Sequence, residues 1–292
     1  MNTEIKEKIE QCLNCKTKPC TQGCPLGNNI PIFIKNAKEG KYKEAYDILS
    51  ETTVLPAICG RICPHYKQCM GKCIRGIKGQ PVNIGDIEKY IGDISIKEKY
   101  NLPKCEQERK EKIAIVGSGP AGLTCAAFLR RKGFKVTIYE KYNELGGILR
   151  NGIPEFRLDK VILDNTIQKI LDLGIEVKYS MTLGENLNIE QLDKEYDAIF
   201  LAIGANITRK MGIKGEELEG VYGGNELLES RNHPNYKGKK VAVIGGGNVA
   251  IDCARTVKRL GAEIVNIIYR REEEQMPCLL YTSPSPRDKR QS

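Results

Sequence analysis

Eight cysteines crowd into the first 73 residues of a 292-residue chain: Cys12, Cys15, Cys20 and Cys24, then Cys59, Cys63, Cys69 and Cys73. Thiols this dense can pair as disulfides, grip zinc or hold iron–sulfur clusters. The spacings are C-x2-C-x4-C-x3-C-P and C-x3-C-x5-C-x3-C, which divide naturally into two four-ligand sites. Zinc sites favour paired C-x2-C knuckles, and one such pair occurs here. Short gaps and a following proline, as in Cys24-Pro25 and Cys63-Pro64, suit [4Fe–4S] clusters better. The four remaining cysteines, Cys105, Cys125, Cys253 and Cys278, are scattered singly and read as small hydrophobes or inert thiols.

Two glycine loops supply a second kind of chemistry. Gly117-Ser118-Gly119-Pro120-Ala121-Gly122 follows the strand pattern Lys112-Ile-Ala-Ile-Val and opens a helical run, the context a dinucleotide fingerprint requires. A helix N-terminus there favours pyrophosphate charge. Glu140 closes the next strand pattern, placed to accept hydrogen bonds from an adenosine ribose. The second loop, Gly245-Gly246-Gly247-Asn248-Val249-Ala250, has the same flanks. After its following strand the expected acid is replaced by Arg270-Arg271, a guanidinium pair that suits the 2′-phosphate of NADP(H). With FAD at the first loop and NADP(H) at the second, the cofactors carry the reactivity. No Ser/His/Asp constellation is visible and no catalytic side chain is expected. The two histidines, His65 and His233, read as structural, although His65 lies between Cys63 and Cys69.

The elements that must position these residues fall into three regions. Residues 1–105 are cysteine-rich and helical: Ile30, Phe33, Ile34 and Ala37, then Tyr42, Ala45, Tyr46 and Leu49, recur at helical spacing around Gly40. Pro103 and the charged run to Lys112 read as a linker. Each glycine loop then sits in a strand–loop–helix–strand unit of the doubly wound kind. Charge narrows the partners. The net charge is +9, with a surplus of six cations in residues 1–105, where anionic clusters or an acidic protein would be complemented. Aromatic residues are not interleaved with basic blocks, so nucleic acid is not expected. No apolar run reaches the length of a membrane span, and the first residues lack an apolar signal core, so the reducing cytoplasm is expected.

Together these parts resemble the small (beta) subunit of NADPH-dependent glutamate synthase, with relatives in the N-terminal half of dihydropyrimidine dehydrogenase and in flavoprotein subunits of ferredoxin:NADP oxidoreductases. The resemblance runs from about residue 9 to 277. It is carried by Cys59-Gly-Arg-Ile-Cys63-Pro, Pro81-Val-Asn-Ile-Gly-Asp-Ile-Glu88, Gly146-Gly-Ile-Leu-Arg-Asn-Gly-Ile-Pro-Glu-Phe-Arg157-Leu, Gly245-Gly-Gly-Asn-Val-Ala-Ile-Asp252, and Tyr269-Arg-Arg271 with Met276-Pro277. It implies an α + α/β architecture: a helical domain with two [4Fe–4S] clusters (1–105), a doubly wound, Rossmann-like FAD-binding domain (106–205) and a partial NADP-binding one (206–277). It further implies interleaved clusters, with Cys12, Cys15 and Cys20 sharing one with Cys73. Cys24, Cys63 and Cys69 would hold the other, with Glu88 or its rival Cys59 as fourth ligand. By the same analogy Glu140, Gly147, Arg157 and Leu183 line the flavin, and Leu201-Ala202-Ile-Gly204 returns to it. Asn248, Arg270 and Arg271 would face NADP(H).

The activity implied is electron transfer between NADPH, FAD and the clusters to a partner, either a large catalytic subunit of the glutamate synthase alpha type or a ferredoxin-like acceptor. Family members continue past the Met-Pro segment, completing the NADP sheet and closing the FAD domain. Here residues 278–292 match nothing in the family and read as a disordered Ser/Pro/Arg tail, as in a reading frame cut short. A catalytically inactive cluster-binding module is therefore the alternative.

Overall fold

The computed structural model describes residues 3–230, 232–272 and 275–277; the tail expected at 278–292 lies outside the described residues. The N-terminal part is helical, with α1 (Thr3–Glu10), α2 (Pro19–Gln22), α3 (Ile30–Lys38), α4 (Tyr42–Ser50), α5 (Pro56–Ile62) and α6 (Ile84–Lys97). Prolines open α2, α3 and α5, where a missing N–H costs nothing and a fixed φ favours the first turn. Ile30, Phe33, Ile34 and Ala37 of α3 and Ala45, Tyr46 and Leu49 of α4 are buried, the faces their spacing predicts. Asn83 caps α6, its side chain accepting the Asp86 N–H at 3.2 Å. Helices α5 and α6 pack very closely: a Cβ at Gly60 would stand 2.3 Å from the Lys89 backbone nitrogen.

The next stretch holds β1 (Lys112–Val116), α7 (Pro120–Arg131), β2 (Lys135–Tyr139), α8 (Ile148–Asn151), α9 (Lys160–Leu171), β3 (Glu176–Lys178), α10 (Ile189–Glu195) and β4 (Ala198–Leu201). The strands form a parallel sheet in the order β3-β2-β1-β4, one half of a doubly wound fold. After their first residue β1 and β2 are continuously buried, as central parallel strands must be. The helical part and this sheet belong to one compact unit, residues up to 145 and 158–203. Arg131 donates to the Ser50 carbonyl at 2.5 Å. Lys169 donates to Ser95 Oγ at 2.8 Å and to the Ser95 carbonyl at 3.1 Å, and lies 4.1 Å from the Tyr46 ring centre. The segment read as a linker is also fastened: Arg109 N–H donates to the Gly133 carbonyl at 2.8 Å, and its guanidinium rests on Phe134.

Residues 146–157 and those from 204 on form a second unit. It contains α8, α11 (Gly224–Glu229), and β5 (Lys240–Ile244), α12 (Asn248–Arg259) and β6 (Ile264–Ile268). Strands β5 and β6 pair in parallel from Lys240↔Ile264 to Ile244↔Ile268. Val241 and Val265 pack on Val257, Tyr236 and Ala262, while Ile244, Ile264 and Ile268 are exposed on alternate positions. Among the described residues no helix is long and apolar enough to cross a membrane.

Candidate functional site

The first glycine loop lies between the end of β1 and the start of α7. Gly117 has φ +103°, and a Cβ there would meet the Ala202 carbonyl oxygen at 2.3 Å, so β4 leaves room for glycine alone. The Ala202 N–H donates to the Val116 carbonyl at 2.8 Å, which brings the Leu201–Ala202 strand end to the loop. Gly122 packs its α-carbon against Gly117, whereas nothing lies within 4 Å of a Cβ built on Gly119. Gly119 precedes α7 and no side chain caps the helix, leaving an open backbone surface at a positive helix end. Pro120 and Ala121 form the first turn.

Glu140 follows β2 at the same end of the sheet and is buried. Its Oε2 accepts the Ser118 N–H at 2.9 Å and the Ser118 hydroxyl; its Oε1 accepts the Tyr142 N–H at 3.1 Å. These bonds fix the carboxylate, and each oxygen retains acceptor capacity for a ribose hydroxyl. Leu183 packs nearby with Ala114, Val116 and Tyr139. The loop, the acid and the strand ends fit a dinucleotide.

The eight N-terminal thiols sort into two groups. Cys12, Cys15, Cys20 and Cys73 line one cavity, walled by Ile30, Ile34 and Val82. Cys24 lies instead within electrostatic reach of Cys59, Cys63 and Cys69, and Glu88 lies within reach of the same three thiols. The fold thus places Cys73 where proximity in sequence would put Cys24. Burial pushes the Cys20 thiol up to about 11 and that of Cys63 up to about 12, Glu88 adding to the latter. Burial drives Cys59 and Cys69 upward as well. Such thiols bind as thiolates only to a group whose positive charge offsets that cost.

Among the described residues no three of these side chains converge on the point that a single ion would occupy. Zinc would need its sulfurs at bonds of about 2.3 Å. Four thiols lining one cavity make a donor set that fits an iron–sulfur cluster. Glu88 is buried, its pKa raised by desolvation against the pull of His65, and its Oε1 has no hydrogen-bond partner. A buried carboxylate with an unpartnered oxygen, close enough to bear on three thiols, fits the same donor set.

The second loop repeats the first in outline. Gly245 has φ +130°, the Tyr269 ring lies over Gly246, and nothing lies within 4 Å of a Cβ on Gly247, which precedes α12. Asn248, Val249 and Ala250 make the first turn of that helix. Arg270 and Arg271 follow β6 and are exposed. Gly147, Arg157 and Gly204, which the resemblance assigns to the flavin, belong to this second unit. There Arg157 Nη1 lies 2.6 Å from Asp252 Oδ2 on α12, both side chains buried. Burial raises the Asp252 pKa, with Arg157 pulling it back. Nothing in the sequence pattern signals this pair, and nothing in it signals the seat of His65 against Glu88.

Two parallel βαβ openings, each with a glycine turn open before a helix, follow the thiol-lined helical part along the chain, the architecture of the two-dinucleotide oxidoreductase fold class. Residues 111–279, more than half the chain, match the pyridine nucleotide-disulphide oxidoreductase model, and the chain belongs to that family. Residues 1–100 match dihydropyrimidine dehydrogenase domain II, 4Fe-4S cluster. The chain is 37% identical over 289 residues to the glutamate synthase [NADPH] small chain of Escherichia coli (strain K12), covering 94% of this chain and 61% of that protein. It is 38% identical over 278 residues to the NADPH-Fe(3+) oxidoreductase subunit beta of Geobacter sulfurreducens, covering 92% of this chain and 41% of that one. Among solved structures it resembles Mycobacterium tuberculosis FprA in complex with NADPH, with a TM-score of 0.54 and 25% identity over 60% of this chain and 46% of FprA. The chain therefore spans about three-fifths of the length of the glutamate synthase small chain it matches.

Proposed function

We propose that this chain is the NADPH-oxidising, electron-delivering part of a cytoplasmic flavin and iron–sulfur oxidoreductase. The observation that carries the reading is the sorting of eight thiols into two groups within the same compact unit as the first glycine loop. When bound, nicotinamide supplies a hydride, flavin converts that electron pair into single electrons, and iron–sulfur clusters carry them onward.

The chain's own part is binding and orientation. Backbone N–H groups from Gly119 into α7 would hold the FAD pyrophosphate, with Glu140 accepting from the ribose and Ser118 keeping Glu140 in place. Gly245–Ala250 would hold the second pyrophosphate, with Arg270 and Arg271 on the 2′-phosphate that distinguishes NADPH from NADH. Cys12, Cys15, Cys20 and Cys73 would ligate one [4Fe–4S] cluster. Cys24, Cys63, Cys69 and either Glu88 or Cys59 would ligate the other. On this reading residues 1–105, 106–205 and 206–277 carry the clusters, FAD and NADP(H) respectively.

Electrons would leave to a large partner subunit of the glutamate synthase alpha type. Similarity to a subunit of an NADPH-Fe(3+) oxidoreductase and to FprA supports a second reading, in which a ferredoxin-like or metal acceptor takes them. The chain purified without oxygen should contain about eight irons and eight sulfides, FAD, and NADPH:viologen activity. Iron without flavin leaves a cluster-binding module instead of an enzyme, and zinc in place of iron overturns the cluster reading.

A further inference from the structure

The second thiol group has five candidate ligands for four positions, and its surroundings distinguish them. Cys59 is satisfied as it stands: its sulfur lies 3.7 Å from Thr53 Oγ1, which itself accepts the Leu55 N–H at 3.1 Å. A buried neutral thiol costs little. Glu88 is in the opposite condition. It is 4% exposed, its Oε1 lacks a partner, and a carboxylate so placed is costly until something positive meets it. Its other oxygen, Oε2, lies 3.6 Å from Nε2 of His65, just outside hydrogen-bond reach. His65 is 5% exposed, and its Nε2 has no hydrogen-bond partner either. Two orphaned polar groups thus face one another beside the thiols.

The imidazole is seated there by the backbone. The His65 N–H donates to the Cys63 carbonyl at 2.8 Å, opening a single 3-10 turn directly after Cys63-Pro64. Gly85 lies one helical turn before Glu88 on α6, and a Cβ on it would stand 2.6 Å from His65 Nδ1. The ring therefore occupies the space a side chain at position 85 would take, on the helix that carries the carboxylate.

We infer that His65 is a positioning residue: its Nε2–H holds Glu88 Oε2, leaving Oε1 to the cluster and making Glu88, not Cys59, the fourth ligand of the second group. This rests on the cluster reading above. His65 touches no iron; it fixes one carboxylate oxygen so that the other is presented in a single orientation.

The test uses the full chain, loaded anaerobically with iron and sulfide, in His65→Leu, His65→Gln, Gly85→Ala, Glu88→Ala and Cys59→Ser forms. The readouts are the Fe–O shell in iron X-ray absorption and the paramagnetic signals of the two reduced clusters. Wild type shows an Fe–O contribution. His65→Leu loses it and alters the second signal, while the first signal, from the Cys12 group, stays as the control for folding. His65→Gln, which keeps a donor, restores the wild-type pattern. Gly85→Ala displaces the ring without removing it, reproduces the His65→Leu change, and decides the matter if His65→Leu does not fold. Cys59→Ser leaves both signals in place. If Glu88→Ala alters the second signal while His65→Leu and Gly85→Ala do not, the role of His65 falls alone. If Cys59→Ser abolishes that signal and Glu88→Ala spares it, Glu88 is no ligand and the inference falls with it.

Discussion

The two glycine loops share one motif and differ in what surrounds them. At the first, β1 has a parallel neighbour on each side, and the Ala202 carbonyl from β4 closes on Gly117. At the second, β5 pairs only with β6 among the described residues, and the nearest atom to a Cβ on Gly245 is the Ala250 methyl at 3.3 Å. Both leave the middle glycine open before a helix. The open turn is thus a local property of the loop, while the steric closure on its first glycine comes from the neighbouring strand. On the proposed reading the strand-end residues would decide which nucleotide is admitted, a fixed carboxylate in one case and two exposed guanidinium groups in the other.

The sharpest way to break this comparison is to add the same side chain to both loops. Gly117→Val should abolish FAD retention and cost more than about 2 kcal/mol, because left-handed strain adds to a backbone collision. Gly245→Val meets only the strain and should cost about 1 kcal/mol. Thermal unfolding and flavin content check both, and equal losses would erase the distinction. Next in size, Glu140→Ala should weaken FAD binding by roughly 10- to 100-fold, as expected for charged hydrogen bonds worth about 1.5–3 kcal/mol; flavin release under dilution measures it. Arg270→Ala with Arg271→Ala should raise the NADPH dissociation constant by about 10-fold or more and leave NADH unchanged. A parallel loss for NADH would show that the pair serves the pyrophosphate.

A pH-dependent effect concerns the packing behind the first loop. Burial lowers the pKa of Lys169 to about 7, with Lys43 adding to the shift, and its ammonium meets the neutral Ser95 and the face of the Tyr46 ring. Between pH 7 and the ordinary lysine value the folded chain holds fewer protons than the unfolded chain, so this residue makes stability rise with pH across that window. Relative to Lys169→Met, the wild type should gain in unfolding midpoint from pH 7 to 9. A constant difference would mean the amine keeps its charge when buried.

Much of the frame is legible in the sequence because a few residue types admit few conformations. Gly117 and Gly245 need left-handed backbone, and runs such as residues 113–116 are buried on both faces, so the βαβ openings announce themselves. The α3 and α4 cores follow from spacing alone. Which thiols meet is different in kind. Cys12, Cys15, Cys20 and Cys24 are neighbours along the chain, yet the cavity takes Cys73 in place of Cys24, and that depends on how the turns after α5 fold back. The seat of His65 depends on a missing side chain at Gly85, and the Arg157–Asp252 pair joins residues nearly a hundred positions apart. Such pairings are products of packing, and local pattern carries no trace of them.

The crossing of the two thiol groups has a mechanical consequence. With both groups loaded as proposed, each cluster fastens the segment before α3 to the segment after α5, so residues 25–62 become a loop closed by two separate rivets. A protease cut at the exposed Gly40 turn would leave two pieces that still travel together, and stripping either cluster alone would not part them. With both removed, only packing such as that of α3 on α4 and of α1 on α6 holds the nicked chain, so fragment release upon chelation counts rivets rather than irons.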